Sequence, residues 1–145
     1  MEDLNVKEFS RIAIVYDFGS LDFFPLSIAC LKKEVEIEYR KKITTNTDFQ
    51  LLWNPEEFPI YATAELQIRV SGDLEDFVQK QIESGGGYER DIRSSINFAC
   101  ARLNHEYESS PFFFSTDPEL ADVKDNLISI GNIPDAFVKA VPDWF

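Results

Sequence analysis

The sequence predicts an α+β fold: an antiparallel sheet of about four strands from the N-terminal half, covered by about three or four helices from the C-terminal half. Two observations support this class. Strand-type patterns lie between Arg11 and Val70, and helix-type patterns, with apolar residues three or four positions apart, begin at Leu74. Strands and helices do not alternate regularly along the chain, as they would in a parallel α/β sheet.

Four segments indicate the strands. The run from Arg11 to Tyr16 is short, apolar and rich in β-branched residues, which is typical of a central strand. Residues 26–31 favour a strand over a buried helical turn, although periodicity alone does not separate the two in so short a run. The segments Glu34–Arg40 and Tyr61–Val70 alternate between polar and apolar residues, so each would bury one face and leave the other in water.

A long connection, residues 41–59, joins the two alternating segments. It exceeds the roughly 2–5 residues of a typical hairpin loop, and it contains the large side chains Phe49, Trp53 and Phe58. Such side chains either pack back onto the body of the protein or contact a partner. Packing back is the favoured expectation, because large exposed apolar patches are uncommon on monomers.

Helical periodicity follows the second alternating segment. Apolar residues between Leu74 and Ile82 are spaced as on one face of a helix, and Gly85 can end that helix. A second helix is predicted from Tyr88 to about Tyr107, because apolar residues recur about every fourth position and Pro111 follows. These two helices are the expected covers of the sheet.

The last third of the chain contains a further predicted strand and helix. Phe112-Phe113-Phe114 indicates either a strand or a loop that plugs the core. Asp117-Pro118-Glu119 has the features of a helix start, with an N-cap residue, proline at the first helical position and then an acid. Gly131 is the expected end of that helix. A last short helix is predicted over residues 133–138.

Length and charge limit the class of protein. Residues 1–145 are expected to form a single compact domain, since this is the length of one ordinary domain. The 26 acidic and 14 basic residues give a net charge of −12. This charge opposes direct binding to nucleic acid or to an anionic membrane, because both are negatively charged. It favours either solubility alone or a cationic partner.

Neither a membrane nor a cofactor is indicated. The longest nearly uncharged run, residues 18–31, contains Pro25 and falls short of the roughly 20 apolar residues that a membrane span needs. The N-terminus lacks the pattern of a secretory signal, so the cytoplasm is the expected compartment. Cys30 and Cys100 are expected in the core, and His105 is the only histidine, so no metal site and no cofactor is predicted.

Motifs that would indicate catalysis are weak. Asp17-Phe18-Gly19 matches the metal-binding triplet of protein kinases, but no catalytic-loop motif or phosphate-binding lysine accompanies it, and a turn at the end of a strand explains it. The alternative enzyme hypothesis is a small enzyme that uses carboxylates and Mg²⁺. Its candidate residues are Asp17, Glu36, Glu38 and Glu65.

Acidic and aromatic residues together mark a candidate partner-binding site. In a strand, the alternate glutamates from Glu34 to Glu38 would share one face, either solvated beside lysines or offered to a basic partner. The tail Pro142 to Phe145 resembles the short acidic and aromatic tails with which single-stranded-DNA-binding proteins recruit partners; docking on the protein's own core is the alternative. The candidate partner-binding residues are Glu34, Glu36, Glu38, Asp48, Trp53, Glu56, Glu57, Phe58, Trp144 and Phe145.

The favoured hypothesis is a non-enzymatic acidic binding protein that neutralises or recruits a basic partner protein, such as a toxin or a nucleic-acid-binding protein. Toxin-immunity proteins and phage-encoded inhibitors of nucleic-acid-directed defences are small acidic chains of this character, so an inhibitor, antitoxin or anti-defence role fits. The alternatives are the carboxylate enzyme and a structural subunit, in which the Glu34–Val70 sheet pairs with a second copy as a homodimer.

Overall fold

The computed structural model describes residues 6–17, 26–42, 50–61 and 88–133. These residues form a mixed sheet and α-helices, so the fold class is α+β, as the sequence predicts. The strands are β1 (Phe9–Val15), β2 (Ser27–Lys32), β3 (Ile60–Tyr61) and β4 (Phe112–Thr116). The α-helices are α1 (Lys33–Lys42), α2 (Gln50–Trp53), α3 (Tyr88–Glu106) and α4 (Val123–Ile130), and short 3₁₀ turns lie at Val6–Glu8 and Pro55–Glu57.

The sheet has the strand order β3-β2-β1-β4, with the two-residue β3 at one edge. Strand β1 is antiparallel to β2 and parallel to β4, so the predicted all-antiparallel pairing is wrong. A strand pattern does not record direction, and β4 joins β1 from about a hundred residues further along the chain. The predicted division into halves is wrong as well, because β4 comes from the C-terminal half and α1 from the N-terminal half.

Strand β1 lies at the centre of the described sheet, which confirms the prediction for this run. It is flanked by β2 and β4, and all its residues from Arg11 to Val15 are buried. Side chains of neighbouring residues point to opposite faces of a strand. On one face Trp53 of α2 packs edge-on against Phe112 and Phe114, and on the other face α3 contacts Phe113. Both faces are therefore covered, which explains why the strand is apolar from Ile12 to Val15.

The segment predicted as the strand Glu34–Arg40 is instead the helix α1, so this prediction is wrong. Acids occupy its first turn and bases its last turn, an arrangement that the helix dipole favours. Salt bridges at helical spacing, Glu36 with Arg40 and Glu38 with Lys41, add to this. The alternating pattern also fits a helix, because Val35 and Tyr39, which face inward, are four positions apart and so lie on one helical face.

Three other predicted segments agree with the structure. The run 26–31 forms β2, the helix from Tyr88 ends at Glu106, and Phe112-Phe113-Phe114 takes the strand alternative as part of β4. Of the predicted strand Tyr61–Val70, only its first residue lies among the described residues, in β3. The predicted helices over Leu74–Ile82 and 133–138 lie outside them, apart from residue 133.

The helix predicted from Asp117 begins later, at Val123. The Asp117 carboxylate instead accepts hydrogen bonds from the backbone N–H groups of Ala121, at 3.2 Å, and Asp122, at 2.8 Å, so it caps a turn rather than the helix. Leu120 has a φ of 63°, which interrupts a helix at that point. Gly131 ends the helix as predicted, with a φ of 72° and its N–H bonded to the Leu127 carbonyl.

Candidate partner-binding surface

A buried arginine holds the helix α1 against the sheet. Arg11 of β1 is fully buried, and its Nε donates to Glu36 Oε1 at 2.6 Å. Its guanidinium also donates to the Leu52 carbonyl at 2.9 Å and lies 3.9 Å from the centre of the Trp53 ring. Burial lowers the pKa of Arg11, and the Glu36 carboxylate opposes this shift. Arg11 therefore joins β1, α1 and α2.

Three of the predicted partner-binding residues lie inside the described fold. Glu36 is on the inner face of α1, where it binds Arg11 and also Arg40 at 3.2 Å. Trp53 and Phe58 are 0% and 4% exposed, and both pack edge-on against Phe114. The connection thus packs back onto the body of the protein at these two aromatic residues. The side chains of all three residues are therefore buried in the described fold, where a partner protein cannot contact them.

The outer face of α1 carries the other predicted residues of this helix. Glu34 and Glu38 are exposed, and Ile37 between them is 58% exposed. The three lie on one helical face because they are spaced i, i+3 and i+4. Glu38 forms an exposed salt bridge of 3.1 Å with Lys41. An exposed isoleucine flanked by two carboxylates is therefore the centre of this face.

The 3₁₀ turn Pro55–Glu57 lies beside α1 and supplies two more carboxylates. The Tyr39 hydroxyl donates to the Glu57 carbonyl at 2.6 Å, which ties the turn to the helix. Asn54 Oδ1 accepts from the Glu56 N–H at 3.0 Å and caps the turn. Glu56 and Glu57 are exposed. Two exposed groups are together called the α1–3₁₀ surface below: Glu34, Ile37 and Glu38 on the outer face of α1, and Glu56 and Glu57 on the turn that Tyr39 ties to the helix.

The remaining candidate residues are not brought together. Asp48, Glu65, Trp144 and Phe145 lie outside the described residues. Asp17 is exposed after β1, whereas Glu36 and Glu38 point to opposite sides of α1. In the described part of the chain, no three His, Cys, Asp or Glu side chains are grouped so that they could hold a metal ion.

A second buried polar network, which the sequence did not reveal, attaches α4 to the sheet. The Asn126 side chain donates to Tyr16 Oη at 2.8 Å and to the Ser115 carbonyl at 3.1 Å, and it accepts from Asn97 at 2.9 Å. The Tyr16 hydroxyl donates to Asp122 at 2.9 Å, and burial raises its pKa. Because these groups satisfy one another, the network is a structural brace.

A cleft of about 450 Å³ lies where the C-terminal ends of α3 and α4 meet. The sequence marked His105 only as its single histidine, and no pattern singled out Glu108 or Asn132. No local pattern predicts the cleft, because its two sides are more than twenty residues apart. Its principal lining residues are Ala101, His105, Glu108, Ser109, Ile130 and Asn132.

Comparison with known proteins adds no relative. No protein-family model matches the chain, and neither the curated proteins nor the solved structures yield a match. Among the described helices, none combines the length and the apolar character that crossing a membrane requires.

Proposed function

We propose that this chain is a non-enzymatic binding protein that neutralises or recruits a basic partner protein, and that the α1–3₁₀ surface contacts that partner. A toxin or a nucleic-acid-binding protein is the expected kind of partner, and an inhibitor or immunity-type role follows from it. The single observation that supports this proposal best is Ile37, an isoleucine that is 58% exposed between the carboxylates of Glu34 and Glu38.

The surface combines the two ingredients of a protein interface. Burying an apolar side chain supplies affinity, and surrounding charges steer a partner of opposite sign and exclude others. The net charge of −12 attracts a basic protein over a longer range at low salt. Three of the four basic residues of α1 lie in its last turn, and Lys33 begins the helix, so Glu34 is the carboxylate of this surface that lies farthest from that basic turn.

The surface is also held in place from beneath. Glu36 binds the buried Arg11 on the inner side of the helix, and Tyr39 bonds the neighbouring 3₁₀ turn. Side chains on a fixed helix lose less conformational freedom on binding than side chains on a mobile loop. We therefore place the first contact on α1 rather than on the buried aromatic residues of the connection.

The test is affinity capture from the source cells on the immobilised full chain, followed by calorimetry with the purified partner. Ile37→Ser removes the apolar centre, and Ile128→Ser on α4 is the matched control, since Ile128 is 56% exposed. Burying the exposed part of an isoleucine contributes roughly 1–2 kcal/mol, so Ile37→Ser should weaken binding by about 5–30-fold. Ile128→Ser should leave the affinity within about twofold.

A second pair of variants tests the charges. Glu34→Gln with Glu38→Gln should slow association and reduce its salt dependence, because surface charges act mainly on the association rate. Glu89→Gln with Glu119→Gln removes two exposed charges elsewhere and should have a smaller effect. Retention of no basic protein at low salt, or equal losses for the Ile37 and Ile128 variants, would contradict the proposal.

A further inference from the structure

The cleft between α3 and α4 is bounded by the C-terminal ends of both helices. After α3, the chain turns through Glu108 and Ser109, with φ values of 55° and 60°; after α4, it turns through Gly131 and Asn132, with 72° and 50°. All four residues line the cleft. A helix C-terminus carries roughly half a negative charge from its terminal carbonyl groups. Two such ends therefore make the cleft electronegative.

Charged side chains reinforce this potential. The exposed carboxylate of Glu108 lies in the cleft wall, whereas in the adjoining depression the charge of Glu106 is offset by Arg102. Among the described residues that line the cleft, Glu108 is the only acid, and none is a lysine or arginine. The chemistry of the cleft therefore favours a cation over an anion or a neutral group.

The shape of the cleft selects among cations. Ala101 and Ile130 supply apolar wall, and His105, Glu108 and Asn132 supply exposed polar groups. A side chain with an aliphatic stem and a charged head matches such a site, because its stem can cover apolar surface while its head meets the polar groups. The α3 side of the cleft is held against β4, because the Asn104 amide donates to the Phe113 carbonyl at 2.9 Å and accepts from the Phe113 N–H at 2.6 Å.

We propose that this cleft binds the side chain of an arginine presented by a partner protein. The planar guanidinium has five N–H donors, which can be shared among the Glu108 carboxylate, Asn132 Oδ1 and the carbonyl groups at the helix ends. It can also stack on the imidazole of His105, which a lysine ammonium group does less well. The proposal is independent of the α1–3₁₀ surface, since it uses different helices and different residues.

The test is an NMR titration of the ¹⁵N-labelled full chain with a blocked glycine pentapeptide that carries a central arginine. We expect a millimolar Kd and chemical-shift changes concentrated on the amides of Ser109, Gly131 and Asn132. Glu108→Gln should raise the Kd by about fivefold or more, because a charge-assisted hydrogen bond is lost. Glu89→Gln, which removes an exposed charge near the other end of α3, should leave the Kd within about twofold.

Further ligands define the chemistry. A peptide with citrulline in place of arginine keeps the shape without the charge and should not bind, and a lysine peptide should bind more weakly than the arginine peptide. Equal binding of the citrulline peptide, or equal effects of Glu108→Gln and Glu89→Gln, would overturn the proposal. Nα-acetylarginine, whose carboxylate is not balanced by an ammonium group, should bind less well than the blocked peptide, because that carboxylate is repelled. Tighter binding of Nα-acetylarginine would overturn the assignment to a protein side chain. Ile37→Ser should leave every one of these titrations unchanged, which separates this test from that of the proposed function.

Discussion

Replacing Glu36 by glutamine removes one charge from a buried ion pair while keeping its shape. Glu36 Oε1 accepts from Arg11 Nε at 2.6 Å, and Arg11 and Glu36 are 0% and 9% exposed as whole residues. The glutamine carbonyl oxygen can still accept that hydrogen bond. The guanidinium of Arg11, however, would stay buried without the negative charge of Glu36. The variant therefore measures how much this one charge contributes to holding α1 on the sheet.

Removing one partner of a buried ion pair costs roughly 3–5 kcal/mol. The lower end applies here, since Arg11 still donates to the Leu52 carbonyl at 2.9 Å and still lies over the Trp53 ring. We expect Glu36→Gln to lower the free energy of unfolding by about 3 kcal/mol, which for a domain near this size lowers the Tm by roughly 6–12 °C. Since domains are stable by roughly 5–15 kcal/mol, the variant should still fold.

The assay is urea unfolding at pH 7, followed by circular dichroism. The matched control is Glu38→Gln, the same substitution two residues later, at an ion pair with Lys41 whose side chains are 64% and 67% exposed. An exposed pair of this kind contributes less than about 1 kcal/mol. If the free energies of unfolding of the two variants differ by less than about 1 kcal/mol, Arg11 does not depend on the charge of Glu36, and the buried ion pair is not what holds α1 on the sheet.

The remaining predictions concern the second buried network and the thiols. Asn126→Ala should lower the free energy of unfolding by about 3 kcal/mol, because its partners stay buried without hydrogen bonds, whereas Asp125→Ala next to it should cost less than about 1 kcal/mol; equal costs would contradict the bracing role. Burial raises the pKa of Cys30 to about 11 and of Cys100 to about 12, above the ordinary thiol value of about 9. Between the unfolded pKa of about 9 and the raised folded pKa, each thiol keeps its proton in the folded chain but loses it in the unfolded chain. The free energy of unfolding therefore falls as the pH rises, by about 1 kcal/mol per thiol from pH 9 to pH 10. In urea titrations, Cys100→Ala should lose less stability over this interval than the parent chain, and an equal loss would contradict the inferred shift.

Among the parts of the fold that the sequence predicted correctly, β1 and α3 are those where one pattern excludes the others. Strand β1 has an unbroken apolar run that suits a strand covered on both faces, and α3 repeats its apolar positions over nineteen residues. The segment from Glu34 to Arg40 fits two periods, because residues separated by four positions share a face in a strand and nearly share one in a helix. The placement of charges along the segment favours the helix, and the contact of Glu36 with Arg11, which is not local in sequence, adds to this.

The same ambiguity between strand and helix limited the prediction of the candidate site. In a strand, Glu34, Glu36 and Glu38 would share one surface, whereas in α1 the middle one turns inward to Arg11. The aromatic residues Trp53 and Phe58 could be recognised as large apolar groups in a loop, but not as groups that pack against β4. The cleft beside His105 could not be predicted at all, because it exists only where two helix ends meet.

Adjacent residues of α1 separate stability from binding. Successive residues of a helix point about 100° apart, so Glu36 turns inward to Arg11 while Ile37 turns outward. Glu36→Gln should lower stability while leaving Ile37 on the surface, and Ile37→Ser should lower affinity while leaving the buried ion pair intact. A partner contacting α1 is therefore expected to distinguish the two variants at a temperature where both are folded. If both lost binding equally under these conditions, the partner would recognise the packing of α1 as a whole rather than its outer face.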